Sequence, residues 1–124
     1  MKHEKLEGRA KILRIFIDEG DYWQGDLLYD AILKKAHVLD LAGASVFKGL
    51  KGYGAPTRLH RLDWFGAPTD RPILVTIVDT EEKITNALPV LDEMIDEGLI
   101  VVSDAEVIKY TQARSRRNDA EGKG

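Results

Sequence analysis

The chain has 124 residues, of which 44% are hydrophobic, with 18 basic residues against 21 acidic ones and no cysteine. This size suits one packed core, so we expect one domain over residues 1–112 and a basic, then polar, frayed tail over 113–124. The lack of cysteine excludes disulfides, thiolate metal ligands and cysteine nucleophiles. The net charge of −3 gives no overall attraction for nucleic acid. We further expect no membrane insertion, no secretion signal and a cytoplasmic location.

The first half of the chain predicts a strand, a helix and a second strand. Residues 9–17 are rich in β-formers and place apolar side chains on both faces of a strand. Residues 22–41 change to the spacing of an amphipathic helix. Residues 42–48 return to strand-like residues, and the glycine-rich segment 49–54 ends them.

A long connection, residues 50–72, separates this half from the second. It carries three prolines and exceeds the usual length of connections in compact domains, which is typical of a loop that is either functional or mobile. Residues 73–78 then give the strongest strand pattern in the chain.

The second half predicts another helix and a last strand. Asp79 and Glu82 have the spacing of a capping box, which places the helix start there. Pro89 lies inside the helix, Gly98 is expected to cap its end, and residues 99–110 predict the last strand.

This order predicts an α+β fold of ferredoxin-like βαββαβ topology, a four-stranded antiparallel sheet with two helices on one face. The other face would then stay uncovered. Ile12, Phe16, Leu74 and Val78 are expected on it, and an apolar sheet surface of this kind marks an interface. We therefore expect a homo-oligomer, with scattered surface hydrophobes as the alternative reading.

Four ordered segments carry a resemblance to a known family: GASVFKG (43–49), GYG (52–54), DRPILVTIVD (70–79) and LPVL (88–91). Together they resemble the PII-like proteins, relatives of the nitrogen-regulatory PII signal transducers, from about Arg9 to Tyr110. The resemblance implies a regulatory homotrimer with inward-facing sheets and adenine nucleotides in the clefts between subunits. It also implies that the long loop 50–72 contacts a protein partner.

One departure from the PII pattern bears on the ligand. PII proteins carry a phosphate-binding loop between the second helix and the last strand, whereas residues 96–99 here pass almost directly from one to the other. AMP or ADP, or no nucleotide at all, is therefore expected rather than ATP, and no cofactor is required.

The glycine-rich segment is the main candidate for ligand binding, because glycines expose backbone N–H groups that cradle phosphate while Lys51 adds a charge. The alternative is a plain turn. On the resemblance, the loop residues Arg58 and His60 and the tail residues Arg114 and Arg116 join the site; the alternative for the tail is a solvated terminus. The candidate ligand-binding residues are Gly49, Lys51, Gly52, Tyr53, Gly54, Arg58, His60, Arg114 and Arg116.

Aromatic pairs are candidates to stack on an adenine ring: Tyr22-Trp23 and Trp64-Phe65. Each pair also has a plain structural reading, as packing against its own subunit. The histidines His3, His37 and His60 lie too far apart in sequence for metal-site spacing, so no metal site is expected.

Two other functions remain open. An RNA-recognition module shares the topology, and residues 51–54 and 15–17 imitate its signatures, but Pro56 would interrupt the required central strand. A small enzyme is the other alternative, although no residue is singled out as catalytic by its spacing. We therefore expect a binding protein rather than an enzyme.

Overall fold

The central feature of the fold is a four-stranded antiparallel sheet. The structure, a computed structural model, describes residues 6–54 and 71–111. Its elements in chain order are strand β1 (Gly8–Asp18), strand β2 (Tyr22–Trp23), strand β3 (Asp26–Leu27), helix α1 (Leu28–Val38), strand β4 (Gly43–Lys48), strand β5 (Pro72–Asp79), helix α2 (Glu81–Met94) and strand β6 (Leu99–Val107). The sheet has the order β4-β5-β1-β6, which confirms the predicted ferredoxin-like βαββαβ fold.

One face of the sheet, the core face, is closed by both helices. Leu13, Ile15 and Ile17 alternate along β1 and are completely buried. They pair with the buried, alternating residues of β5, as the strand periodicity predicted. Helix α1 contributes Leu28, Ala31, Ile32 and Ala36 to the same cluster, and helix α2 contributes Ile84, Ala87, Leu91 and Met94.

The opposite face, called the open face here, carries the intervening residues of the same strands. Ile12, Arg14 and Phe16 of β1 lie on it and are only half-buried. Their β5 partners are Val78, Thr76 and Leu74, so the side chains expected on the uncovered face are confirmed in that position.

The first helix is shorter than predicted. Residues 22–27 form a two-stranded hairpin before α1, so the expected helix over 22–41 is wrong in its first part. Gln24 and Gly25 have φ values of 49° and 88°, the pair of positive values that a tight hairpin turn requires. The N–H of Leu28 donates to the carbonyl of Asp21 at 2.7 Å and joins the base of the hairpin to the helix start.

The N-cap of the second helix lies one residue later than predicted, at Thr80 instead of Asp79. Thr80 is the N-cap residue, and its hydroxyl accepts the N–H of Lys83 at 3.3 Å. Asp79 is instead a buried strand residue whose carboxylate accepts the N–H groups of Ala42 and Thr80. It thereby fastens the start of β4 to the end of β5. Pro89 lies inside α2 as predicted.

Gly98 does not cap the helix, because α2 ends at Met94 and Ile95 is its C-cap residue. A β-carbon at Gly98 would lie 2.8 Å from the carbonyl oxygen of Phe16, so glycine allows β1 to approach closely. The last strand ends at Val107 rather than at Tyr110. Beyond it, the Tyr110 hydroxyl donates to the carbonyl of Ala42 at 3.4 Å, which brings this segment to the opposite edge of the sheet.

Candidate functional site

A cleft of about 610 Å³ lies where the open face meets the glycine-rich segment. Its walls come from the ends of β1 and β4, the starts of β5 and β6, and the segment that follows β4. The lining residues are Phe16, Ile17, Phe47, Lys48, Gly49, Lys51, Gly52, Tyr53, Gly54, Pro72, Ile73, Leu74 and Leu99. The cleft therefore joins an apolar sheet surface to a segment rich in backbone N–H groups and lysines.

The apolar wall is one row of side chains that crosses all four strands of the sheet. Strand register places Phe47 beside Leu74, Leu74 beside Phe16, and Phe16 beside Leu99. The two outer members keep large exposed fractions, 55% for Phe47 and 49% for Leu99. Flat apolar side chains in such a row offer a surface on which an aromatic ring can stack.

The glycine-rich segment is held tightly against the start of β5. The N–H of Gly49 donates to the carbonyl of Pro72 at 2.7 Å. A β-carbon at Gly49 would lie 2.8 Å from Cγ of Pro72, and one at Gly52 would lie 3.3 Å from the same atom. Gly54 has a φ of 130°, a conformation that residues with side chains rarely adopt. Glycine is thus required here by close approach and by backbone conformation.

Charged groups brace the neck of the cleft, the point where Gly49 meets Pro72, and one of these groups, Lys48, also lines the cleft. The Lys48 ammonium lies 2.7 Å from the Glu19 carboxylate, and the hydrogen bond from Lys48 holds the pKa of Glu19 below its usual value. The N–H of Glu19 donates to the carbonyl of Arg71 at 2.9 Å. The Arg71 guanidinium in turn donates to the carbonyl of Leu50 at 3.0 Å. Both ends of the long connection are therefore bound to each other and to the end of β1.

Comparison with known proteins places the chain in a family. The family model described as "Uncharacterized ACR, COG1993" (DUF190) matches residues 10–107, which spans every strand of the sheet and both helices. The chain belongs to the DUF190 family. The UPF0166 protein MJ1524 of Methanocaldococcus jannaschii is 39% identical over 102 residues, covering 82% of this chain and 94% of the relative. A UPF0166 protein of Aquifex aeolicus is 35% identical over 100 residues, covering 81% of this chain and 94% of that relative.

In this DUF190 chain, the candidate residues between 49 and 54 come together as predicted in position. Gly49, Lys51, Gly52, Tyr53 and Gly54 all line the one cleft. Arg58, His60, Arg114 and Arg116 lie outside the described residues, and so does the pair Trp64-Phe65. Whether the cleft residues bind a ligand stays a prediction.

The other aromatic pair does not belong to the cleft. Trp23 packs against the core cluster, and the Lys35 ammonium lies 5.9 Å from the centre of its ring. Tyr22 is exposed on the hairpin before α1. For Trp23, packing against its own subunit is therefore favoured over stacking on an adenine ring.

Several residues of the site were missed by sequence reasoning. Phe47 and Lys48 line the cleft, yet they had been counted only as the end of a strand. Their position directly before Gly49 was the available signal. Glu19 and Arg71 had no comparable signal, because their contacts with Lys48 and Leu50 join distant parts of the chain.

The residues that imitate an RNA-recognition signature take another position here. Residues 51–54 lie beyond the end of β4 and in no strand, while the strand directly before α2 is β5. The signature of an RNA-recognition motif lies on that central strand. Residues 51–54 therefore do not present stacking side chains from a strand of the sheet, as an RNA-recognition motif requires.

A second, smaller cleft of about 360 Å³ lies near the start of α2 and has a balanced set of charges. Its lining includes Arg9 and Lys11 but also Glu81 and Asp104. Lys11 and Asp104 form an ion pair, and the hydrogen bond between them raises the pKa of Lys11 and lowers that of Asp104. Because its cations are matched by carboxylates, this cleft is a poorer anion site than the first.

The described residues hold neither a metal-binding cluster nor a membrane-spanning helix. Over residues 6–54 and 71–111, no group of three or more histidine, aspartate or glutamate side chains is placed to hold a metal ion. Neither of the helices α1 and α2 is long and apolar enough to cross a membrane.

Proposed function

We propose that this chain is a PII-like regulatory binding module that takes an adenine nucleotide, AMP or ADP in preference to ATP, in the cleft beside residues 49–54. The proposal includes a homotrimer whose subunits cover the open face, with the clefts lying between neighbours. It also includes a signalling role for the loop 50–72, which would report ligand occupancy to a protein partner.

The observation that carries the proposal is the composition of the cleft. An apolar row with Phe16 and Phe47 suits a flat aromatic base. Beside this row, the segment from Lys51 to Gly54 supplies a cation and backbone N–H groups, which suit phosphate oxygens. A ligand with an aromatic ring at one end and phosphate at the other matches both walls.

Binding is favoured over catalysis by what the cleft lacks among its described residues. Its described lining includes no aspartate, glutamate, histidine, serine or threonine. General acid–base and nucleophilic mechanisms most often depend on those side chains, and of the other groups used in them the described lining holds Lys48, Lys51 and Tyr53. The cleft therefore has the donors for recognising an anion and few groups for transforming one.

The preference for AMP or ADP has support from the connection between α2 and β6. Helix α2 ends at Met94 and β6 begins at Leu99, which leaves residues 95–98 to join them. A separate phosphate-binding loop of the PII kind does not fit into so short a connection. The phosphate groups would then depend on the glycine-rich segment and its lysines.

Self-association is favoured by the open face. The exposed side chains of Phe47 and Leu99 lie in one row with the half-buried Phe16. A row with Arg14 and Thr76 separates them from Ile12. An exposed row of large apolar side chains is typical of an interface. The resemblance to PII-like proteins favours a trimer over other assemblies.

Calorimetry with AMP, ADP, ATP and a cyclic nucleotide tests the ligand. We expect AMP and ADP to bind, and Lys51→Gln to weaken binding by about tenfold because it removes a charged hydrogen-bond donor. Lys34→Gln is the matched control, since Lys34 is an exposed lysine on α1 outside the cleft. Absence of measurable heat with all four nucleotides would refute the nucleotide assignment.

Limited trypsin digestion tests the loop. Arg58 and Arg61 lie in the loop 50–72, and trypsin cleaves after arginine. We expect bound AMP or ADP to change the rate of cleavage there by several-fold. An unchanged rate at saturating nucleotide would contradict a role of the loop in reporting occupancy.

A further inference from the structure

The two lysines of the cleft differ in their electrostatic surroundings. Lys48 lines the cleft, yet its ammonium is already paired with the Glu19 carboxylate at 2.7 Å. Lys51 also lines the cleft and is exposed. Its ammonium appears in none of the ion pairs found among the described residues, in contrast to that of Lys48.

Glu19 is well placed to act on the cleft without being part of it. It follows β1 directly, is not among the described lining residues, and contacts the cleft residue Lys48. Its backbone N–H is fixed to Arg71, and its side chain is about one-third exposed, with a relative exposure of 30%. Water screens its charge only in part at this position.

We propose that Glu19 sets the charge of the ligand that the cleft accepts. By pairing with Lys48, it keeps that ammonium from the ligand and leaves the cleft with one unneutralised lysine among the described lining residues. The cleft then selects the nucleotide with fewest phosphates. This inference depends on the proposed nucleotide site and names the residue that sets its specificity.

A purely structural role for Glu19 predicts a different result. Glu19 also contacts Arg71 and thereby braces the neck of the long connection. Loosening of that neck would weaken the binding of every nucleotide to a similar extent. A change in the ratio between ligands of different charge, by contrast, arises from electrostatics.

The test measures dissociation constants for AMP, ADP and ATP by calorimetry on the full chain and on Glu19→Gln. Glutamine keeps the shape of the side chain and a hydrogen-bond acceptor for Lys48, but it removes the charge. We expect the ratio of the ATP to the AMP dissociation constant to fall by about fivefold, the size expected for one partly exposed charge. Asp26→Asn is the matched control. It removes the carboxylate that pairs with Lys34 on the surface, and neither residue lines the cleft.

A double-mutant cycle with Lys48→Gln locates the effect. If Glu19 acts through Lys48, Glu19→Gln changes the ratio several-fold with Lys48 present and by much less with Lys48 replaced. An unchanged ratio in Glu19→Gln, an equal loss for all three nucleotides, or the same shift with Lys48 replaced would each overturn the inference while leaving nucleotide binding intact. If no nucleotide binds to the wild-type chain or to any variant, the proposed function fails and the inference fails with it.

Discussion

The two faces of the sheet use the same strands for different purposes. On the core face, Leu13, Ile15 and Ile17 are completely buried beneath the helices. On the open face, their neighbours Ile12 and Phe16 are half-buried, and Phe47 remains 55% exposed. The open face mixes apolar side chains with polar ones, among them Arg14 and Thr76. The helices cover only the core face, so the open face stays uncovered and forms one wall of the cleft.

The largest expected effect compares neighbouring positions on opposite faces. Ile15→Ala should cost about 2–5 kcal/mol of unfolding free energy, because it leaves a cavity in a fully packed region. Ile12→Ala removes the same atoms from the open face and should cost less in dilute solution. Urea denaturation over a range of protein concentrations measures both.

Concentration separates the two faces in that experiment. The loss in Ile15→Ala should not depend on concentration, whereas the loss in Ile12→Ala should grow as association contributes to stability. Equal losses at every concentration would show that the faces do not differ in the way described.

The next effect concerns the neck of the cleft. Gly49→Ala should cost about 1–3 kcal/mol, because the new methyl group would overlap Pro72 and the neighbouring backbone must shift. Gly43→Ala is the control, since nothing lies within 4 Å of its β-carbon position. Urea denaturation gives the comparison, and equal stability of the two variants would contradict the tight packing at the neck.

A smaller effect sharpens the description of the open face. Arg14 lies on that face and donates a hydrogen bond to Ser103 at 3.1 Å. Its strand neighbours on this face, Thr76 and Val101, provide no carboxylate. Arg14→Met should therefore strengthen self-association by about 1 kcal/mol per subunit, since a charge no longer loses its hydration. Sedimentation equilibrium measures the change, and weaker association would indicate a partner carboxylate at Arg14.

The smallest expected effect is the pH dependence of the Glu19–Lys48 pair. Because the pKa of Glu19 is lowered in the folded chain, its stabilisation is present at neutral pH and is lost as the pH falls below the ordinary value of 4.5. At pH 7, Glu19→Gln should cost about 1 kcal/mol or less. Denaturation of both proteins at pH 7 and pH 3 should show that difference shrinking, and a constant difference would exclude a charge effect.

Much of the fold could be predicted because its signals are local and repeated. Alternation in residues 9–17 and 73–78 fixed which side chains share a face, and register in the sheet agrees. The hairpin at residues 22–27 was missed because its apolar residues also fit a helical period, and Gln24-Gly25 is a weaker turn signal than Asn-Gly. The sequence indicates a helix cap at Gly98. Its close contact with Phe16 depends on tertiary structure and leaves no signal in the local sequence.

The candidate site was predictable only in part for a related reason. A run of glycines with Lys51 is visible in the sequence, and these residues line one cleft of the described chain. Glu19 and Lys48 are separated by a hairpin, a helix and most of a strand along the chain, and no spacing rule connects them. Contacts of this kind follow from the fold and not from local pattern.

Light scattering on the purified chain at micromolar concentration tests most directly whether sister copies cover the open face. The account predicts three times the chain mass of 13.9 kDa for the wild type and for the control Val38→Lys, which changes an exposed apolar residue at the end of α1. It predicts the mass of one chain for Leu74→Lys, whose charge would lie in the centre of the open face. A wild-type mass of 13.9 kDa would contradict the account.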